Sequence, residues 1–225
     1  MYYDRVNIQC FRSFFILGDR RGLTNLDTEI HTRQRILIAA EELFSKKGFE
    51  KVTIREIGKN ANCSHATIYF HFKDKKNILE KLAIAPMKKL LYDLKEILKR
   101  DDIDSKEKLM NICKLHLQFG LSNVYLYKQF FSTGFKADYS EVFSDEWDKF
   151  RFDIYNLLFN DFFPNHFKTL DQNQLILNSR LLHYQLHGII VVHIASGRYF
   201  LKEEGDLIPL VEQAVHNFIL TSKPR

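Results

Sequence analysis

Apolar residues in this chain recur at the three-to-four-residue spacing of helices that bury one face. From Thr32 the stripe is Ile36, Ala40, Leu43 and Phe44. Gly48 closes that helix after Lys46 and Lys47, cations suited to the negative end of a helix dipole. Thr53 and Glu56 then have capping-box spacing and open a second helix with Ile54, Ile57 and Ala61 inward. Asn62, which tolerates a left-handed turn, leads to Ser64 as the cap of a third helix with Ile68 and Phe72 inward. Asp74 caps a fourth, striped by Leu79, Leu82, Ala83, Met87, Leu90, Leu94 and Ile97. Pro86 removes a hydrogen bond inside it and is expected to bend or break it, so a domain boundary is placed there.

The remainder also reads as helix. Asp104 and Glu107 start one with Leu109, Ile112, Cys113, His116 and Leu117 inward; a shorter one is expected over 124–134, and another carries Phe143, Trp147, Phe150, Ile154 and Leu157. Asp171 and Gln174 cap a long helix ending at Gly197, and Pro209 opens the last, with Leu210, Ala214 and Phe218 inward. The expected fold class is all-α: a helix-turn-helix unit over 30–85, then a larger helical unit over 86–225. Residues 1–29 show no sustained period and are expected to be a functionally silent flexible extension or sequence upstream of the true start.

Composition agrees, since 9 Gly and 4 Pro in 225 residues are too few turns for a β fold. The net charge is +5, and +4 of it lies within 30–80, a local basic excess that suits a polyanion. Cys10, Cys63 and Cys113 have no metal or redox spacing and fit a reducing, cytoplasmic setting. No run is apolar enough for a membrane span, and the N-terminus lacks a signal peptide's basic start and clean apolar stretch. No phosphate loop, nucleophile elbow or paired Glu-x-x-His set points to an enzyme, and no cofactor is implied. His183 and His187, at i and i+4, have chelating spacing, but no Cys or carboxylate joins them and no metal site is assigned.

The stretch TIREIGKNANCSHATIYFHFKDKKNIL joins two short helices by a tight turn, and the second opens with small or polar residues, as a helix entering a major groove requires. His65 and Thr67 can bond base edges, and Ala66 or Thr67 can touch a thymine methyl. The pattern Ala39-Ala40, Leu43-Phe44, Gly48-Phe49, Thr53-Ile54-Arg55, Ile57-Gly58, Ser64, Ala66-Thr67-Ile68-Tyr69 and Phe72-Lys73-Asp74-Lys75 resembles the DNA-binding domain of the TetR (tetracycline-repressor) family over about residues 32–80. The resemblance implies phosphate contacts from Thr53, Arg55, Tyr69 and Lys75, base or backbone contacts from Ser64, His65, Ala66 and Thr67, and a lesser role for His71. It departs from the family at Asn62, where Gly is usual, at Cys63, expected to be buried, and in the order Phe70-His71. Thr53, Glu56 and Ser64 are useful as caps with or without DNA.

The resemblance further implies a homodimer on a pseudo-palindromic double-stranded operator, released when a small-molecule effector enters the second unit. The aromatic density there suits an apolar or aromatic effector, with His116, Phe119, Phe131, Trp147, Phe150, Tyr184 and His187 as pocket residues and Gln118 as a further polar candidate. The helix holding LLHYQLHGIIVVHIAS is apolar nearly all round and is expected to be buried, pairing with the last helix across the dimer, where Gly188 permits close approach. A regulator without a ligand, and an activator, remain the alternatives within the DNA-binding class.

Overall fold

The computed structural model describes residues 25–132, 146–167, 171–196 and 207–222, and every regular element among them is helical. The helices are α1 (Asn25–Lys47), α2 (Ile54–Asn60), α3 (His65–His71), α4 (Lys75–Lys99), α5 (Ser105–Ser122), α6 (Val124–Ser132), α7 (Glu146–Tyr155), α8 (Gln172–Ala195) and α9 (Ile208–Thr221). After α7 the chain continues as a π-helix over Asn156–Phe162 and one α turn, Phe163–His166. None of the described helices is long and apolar enough to cross a membrane.

The helix starts are set by local chemistry. Thr53, Ser64, Asp74, Asp104 and Asp171 each accept the backbone N–H three residues on, satisfying a donor that the first turn leaves open. Gly48 ends α1 with φ of 80°, and Asn62 makes the α2–α3 turn with φ of 51°. α1 starts seven residues before the apolar period does, because its opening turns carry no repeating apolar face for the pattern to register.

α1, α2 and α3 pack on one another and on the start of α4, around Ile36, Ala40, Phe44, Ile57, Ile68, Phe72 and Leu79. α4 runs unbroken past Pro86, contrary to a break there: one lost hydrogen bond is outweighed by Ala83, Met87 and Leu90 buried on either side of it. Farther on α4 packs against α5 and α7, and α5, α8 and α9 pack together. Leu210 stands 47% exposed, so the inward face of α9 is Val211, Ala214, Val215 and Phe218. Phe143 lies outside the described residues.

Two side-chain hydrogen bonds among the described residues tie α6 to the first unit. The Tyr125 hydroxyl donates to Glu41 Oε1 of α1 at 3.4 Å, and Gln129 Nε2 donates to Glu50 Oε1 at 3.2 Å. Burial raises the Glu41 carboxyl above its ordinary range, against the lowering pull of the Tyr125 hydrogen bond.

Candidate nucleic-acid interface

α2 and α3 meet closely because Gly58 has no side chain. A Cβ there would lie 3.1 Å from the Cys63 carbonyl oxygen and 3.4 Å from Ile68 Cδ1, so a larger residue would push α3 outward. Ile68 is fully buried beneath α3, which fixes the face the helix turns to solvent. Cys63 is half-buried where full burial was expected, because it lies in the turn and not on a helix face; burial still raises its thiol pKa.

The caps are visible atom by atom. Thr53 N and Oγ1 donate to Glu56 Oε2 at 2.8 and 2.9 Å, and Glu56 N donates to Thr53 Oγ1 at 3.2 Å. Lys47 Nζ donates to Glu56 Oε1 at 2.8 Å, joining the end of α1 to the start of α2. The Lys47 bond first, then those from Thr53, lower the Glu56 carboxyl to about 2. Ser64 Oγ accepts from Thr67 N at 3.0 Å and lies 2.7 Å from Thr67 Oγ1.

Of the residues implicated by sequence, Thr53, Arg55, Ser64, His65, Ala66 and Tyr69 are each on the exposed side of α2, α3 or their caps. Thr67 and His71 are half-buried at its margin. The His65 ring meets Tyr69 edge-on at 4.8 Å, which orients both side chains.

Lys75 is engaged within the protein. Its ammonium donates to the carbonyls of Phe49 at 2.8 Å, Val52 at 3.0 Å and Glu50 at 3.3 Å, and lies 4.3 Å from the centre of the Phe49 ring. An ammonium has three protons, and all three are spent on the loop between α1 and α2. In this structure Lys75 holds that loop.

Sequence reasoning also passed over Phe70, the most exposed of the described large apolar side chains at 73%. The signal was present, since position 70 falls one turn after Ala66 on the side opposite Ile68.

In the second unit the structure brings together four of the seven expected pocket residues, around a residue not singled out. Tyr127, fully buried on α6, has its hydroxyl 3.1 Å from His116 Nε2 and 3.0 Å from His187 Nδ1. Phe131 stacks on Tyr127 at 4.7 Å, meets His116 edge-on at 5.0 Å, and lies 6.0 Å from Phe119. His183 joins them, 5.8 Å from His116 and 6.1 Å from His187 between ring centres. Burial first, then His183 and His187, lower the His116 pKa to about 3. The pKa values of His183 and His187 also lie below the ordinary one, chiefly through burial. The cluster is therefore polar but uncharged at neutral pH. No three described His, Cys, Asp or Glu are placed to hold a metal ion.

Trp147 lies one ring away, 5.7 Å from Phe130, with its indole N–H buried and without an acceptor among the described residues, and Phe150 is half-buried on the same helix. Tyr184, expected in the pocket, is 65% exposed, and Gln118 is exposed as well. The second half of α8 is apolar on nearly all sides, so the sequence could not show which of its faces turns inward, and Tyr184 falls on the outer one. An apolar hollow of about 290 Å³ opens elsewhere, between α8 and α9, lined by Gly188, Ile189, Val192, His193, Leu207 and Leu210 among others.

Comparison with known proteins agrees with this geometry. Residues 36–82 match the family described as "Bacterial regulatory proteins, tetR family". The HTH-type transcriptional regulator YvkB of Bacillus subtilis is 47% identical over 51 residues, which is 23% of this chain and 27% of that protein. UidR of Escherichia coli, another HTH-type transcriptional regulator, is 33% identical over 75 residues, 33% of this chain and 38% of UidR. The chain thus aligns with well under two thirds of either relative. The crystal structure of the transcriptional regulator FadR from Bacillus subtilis, in complex with stearoyl-CoA, superposes on 83% of this chain and 97% of its own with a TM-score of 0.59 at 18% identity, a likeness of fold. Residues 36–82 thus carry a helix-turn-helix matching that of the tetR family of bacterial regulatory proteins, and the helical architecture behind it has the fold of solved tetR-family regulators.

Proposed function

We propose that the chain is a cytoplasmic, homodimeric repressor that binds a pseudo-palindromic operator through α2 and α3 and is released by an apolar or aromatic small molecule. The observation that carries the reading is the capped, Gly58-seated α3, which holds His65, Ala66 and Tyr69 outward from a packed three-helix base. Arg55, Thr53 and the Tyr69 hydroxyl contact phosphates; Ser64, His65, Ala66 and Thr67 face bases or backbone, and His71 flanks them. Lys75 supports the site by fixing the loop before α2. No step of this function is catalytic.

Leu177, Leu181, Tyr184, Val192, Leu210 and Leu220 leave α8 and α9 with an exposed apolar face, and the bare Cβ position of Gly188 meets no atom within 4 Å. A second copy covers this face and sets the two α3 helices about 34–36 Å apart, one turn of the duplex. The effector displaces the mutual hydrogen bonds of His116, Tyr127 and His187, with Phe119 and Phe131 against its apolar part and Trp147 and Phe150 behind. FadR's stearoyl-CoA makes fatty acyl compounds a sensible part of the ligand panel. Bound ligand moves α6, and α6 touches α1; operator affinity falls by the ligand's differential affinity for the two states.

The test is fluorescence anisotropy on an operator selected from random duplex DNA, with a salt series and Tyr69→Phe beside wild type. Saturable binding that weakens with salt and with loss of the hydroxyl supports the reading. No selected site at all removes it. A thermal-shift panel, followed by release of the operator, tests the effector part separately.

A further inference from the structure

We propose that Phe70 is a specificity determinant that reads thymine, its ring seated on C5-methyl groups in the major groove. The inference rests on the DNA-binding reading above and goes beyond it by assigning a base preference to a residue outside the expected contact set.

At a helix rotation of about 100° per residue, Ala66 and Phe70 lie roughly 160° and 200° around α3 from Ile68. Ile68 is fully buried, so Ala66 and Phe70 form the row farthest from the protein. Two flanking rows are polar: His65 with Tyr69 on one side, and Thr67 with His71 on the other. The outermost row of α3 is thus apolar and bounded by hydrogen-bonding side chains. The small Ala66 at the N-terminal end lets the helix approach, and the ring one turn later projects. Phe70 is 73% exposed, and its ring meets the edge of adjacent His71 at 5.1 Å.

A major groove presents hydrogen-bonding edges at every base pair, and its apolar feature is the thymine C5-methyl. A phenyl ring carried into the groove without a methyl beneath it strips water from base-edge donors and acceptors and returns no hydrogen bond. A methyl beneath it turns the same burial into a gain. The flanking polar rows account for adjacent base edges and phosphates, and the apolar row selects an A·T pair with its thymine on the contacted strand.

The experiment uses the full-length protein and the duplex selected from a random pool. Each thymine is replaced in turn by deoxyuridine, which lacks only the methyl, and affinities are measured for wild type and for Phe70→Ala. For wild type, one or two deoxyuridine positions in each half-site are expected to weaken binding about fourfold, the equivalent of one buried methyl-sized group. Phe70→Ala is expected to bind the parent duplex at least fourfold more weakly and to be indifferent to those same replacements. Phe70 is exposed, so its replacement leaves the fold intact, which an unchanged melting temperature checks. The proposal is overturned if Phe70→Ala binds as wild type does, or if it keeps the full deoxyuridine penalty at every position. Failure of wild type to select any site removes the DNA-binding reading itself, a result separate from either of these.

Discussion

Replacing Lys75 with methionine separates two roles that a lysine at the start of α4 can play. Methionine keeps most of the apolar stem and removes the ammonium, which donates to the carbonyls of Phe49, Glu50 and Val52 and lies over the Phe49 ring. A hydrogen bond to a charged group contributes about 1.5–3 kcal/mol, and a cation over an aromatic ring about 0.5–1 kcal/mol where exposed. Lys75 is half-buried, so water on its open side recovers much of that, and the three carbonyls are partly rehydrated once it is gone. A net loss of about 2 kcal/mol follows, or a fall in Tm of roughly 4–8 °C for a chain of this length. The assay pairs thermal unfolding with operator binding across a salt series. The expected result is a lower Tm with the salt slope of the DNA complex unchanged. An unchanged Tm with the slope reduced by about one per protomer would refute the structural assignment and return Lys75 to the phosphate contacts.

Three further perturbations test other parts of the fold. His116 is held neutral in the folded state down to about pH 3, while the unfolded chain protonates near 6.5, so stability is lost as pH falls through 6.5 toward 3; Tm should drop between pH 7 and 5 in wild type and less steeply in His116→Phe, and parallel slopes would contradict the assignment. A Cβ at Gly120 would lie 2.8 Å from Ile190 Cγ2 and 3.1 Å from Tyr127 Cδ2, so Gly120→Ala costs about 1–3 kcal/mol in overpacking, less the 0.5–1 kcal/mol that alanine gains in a helix. A lowered urea midpoint is expected, and no change would mean that Ile190 yields freely. Val192 is 63% exposed, so Val192→Glu should leave the helical content unchanged while converting a dimer to a monomer in sedimentation and weakening operator binding more than tenfold; a persisting dimer would rule out the α8–α9 face.

What the sequence displayed was local. Thr53, Ser64, Asp74, Asp104 and Asp171 announce helix starts because a cap bonds a group three residues away, and Asn62 and Gly48 announce turns because few residues take positive φ. What it hid depends on distance along the chain. The acceptors of Lys75 lie 23–26 residues back, and nothing in its neighbourhood encodes them. Tyr127 was one aromatic among many until α5 and α8 placed His116 and His187, 11 and 60 residues away, on its hydroxyl. Tyr184 was misplaced because a helix apolar on nearly all sides gives no single inward face, and Leu210 because an exposed leucine in the first turn of α9 reads the same in sequence as a buried one. The π-helical stretch after α7 was equally illegible, since its extra residue per turn is a product of packing.

The short helix α6 has a consequence for how the molecule comes apart. Tyr125 and Tyr127, two positions apart, project about 200° from one another around its axis. One reaches Glu41 and lies 6.1 Å from Phe44 in α1, and the other is fixed between His116 and His187. Nine residues cannot lose either attachment and remain a helix on the other, because a segment that short has no stability of its own. The helix-turn-helix unit and the bundle behind it are therefore expected to melt as one cooperative transition. The helix-turn-helix is then not an autonomous module, and the folded population of α2 and α3 is set by the bundle behind them.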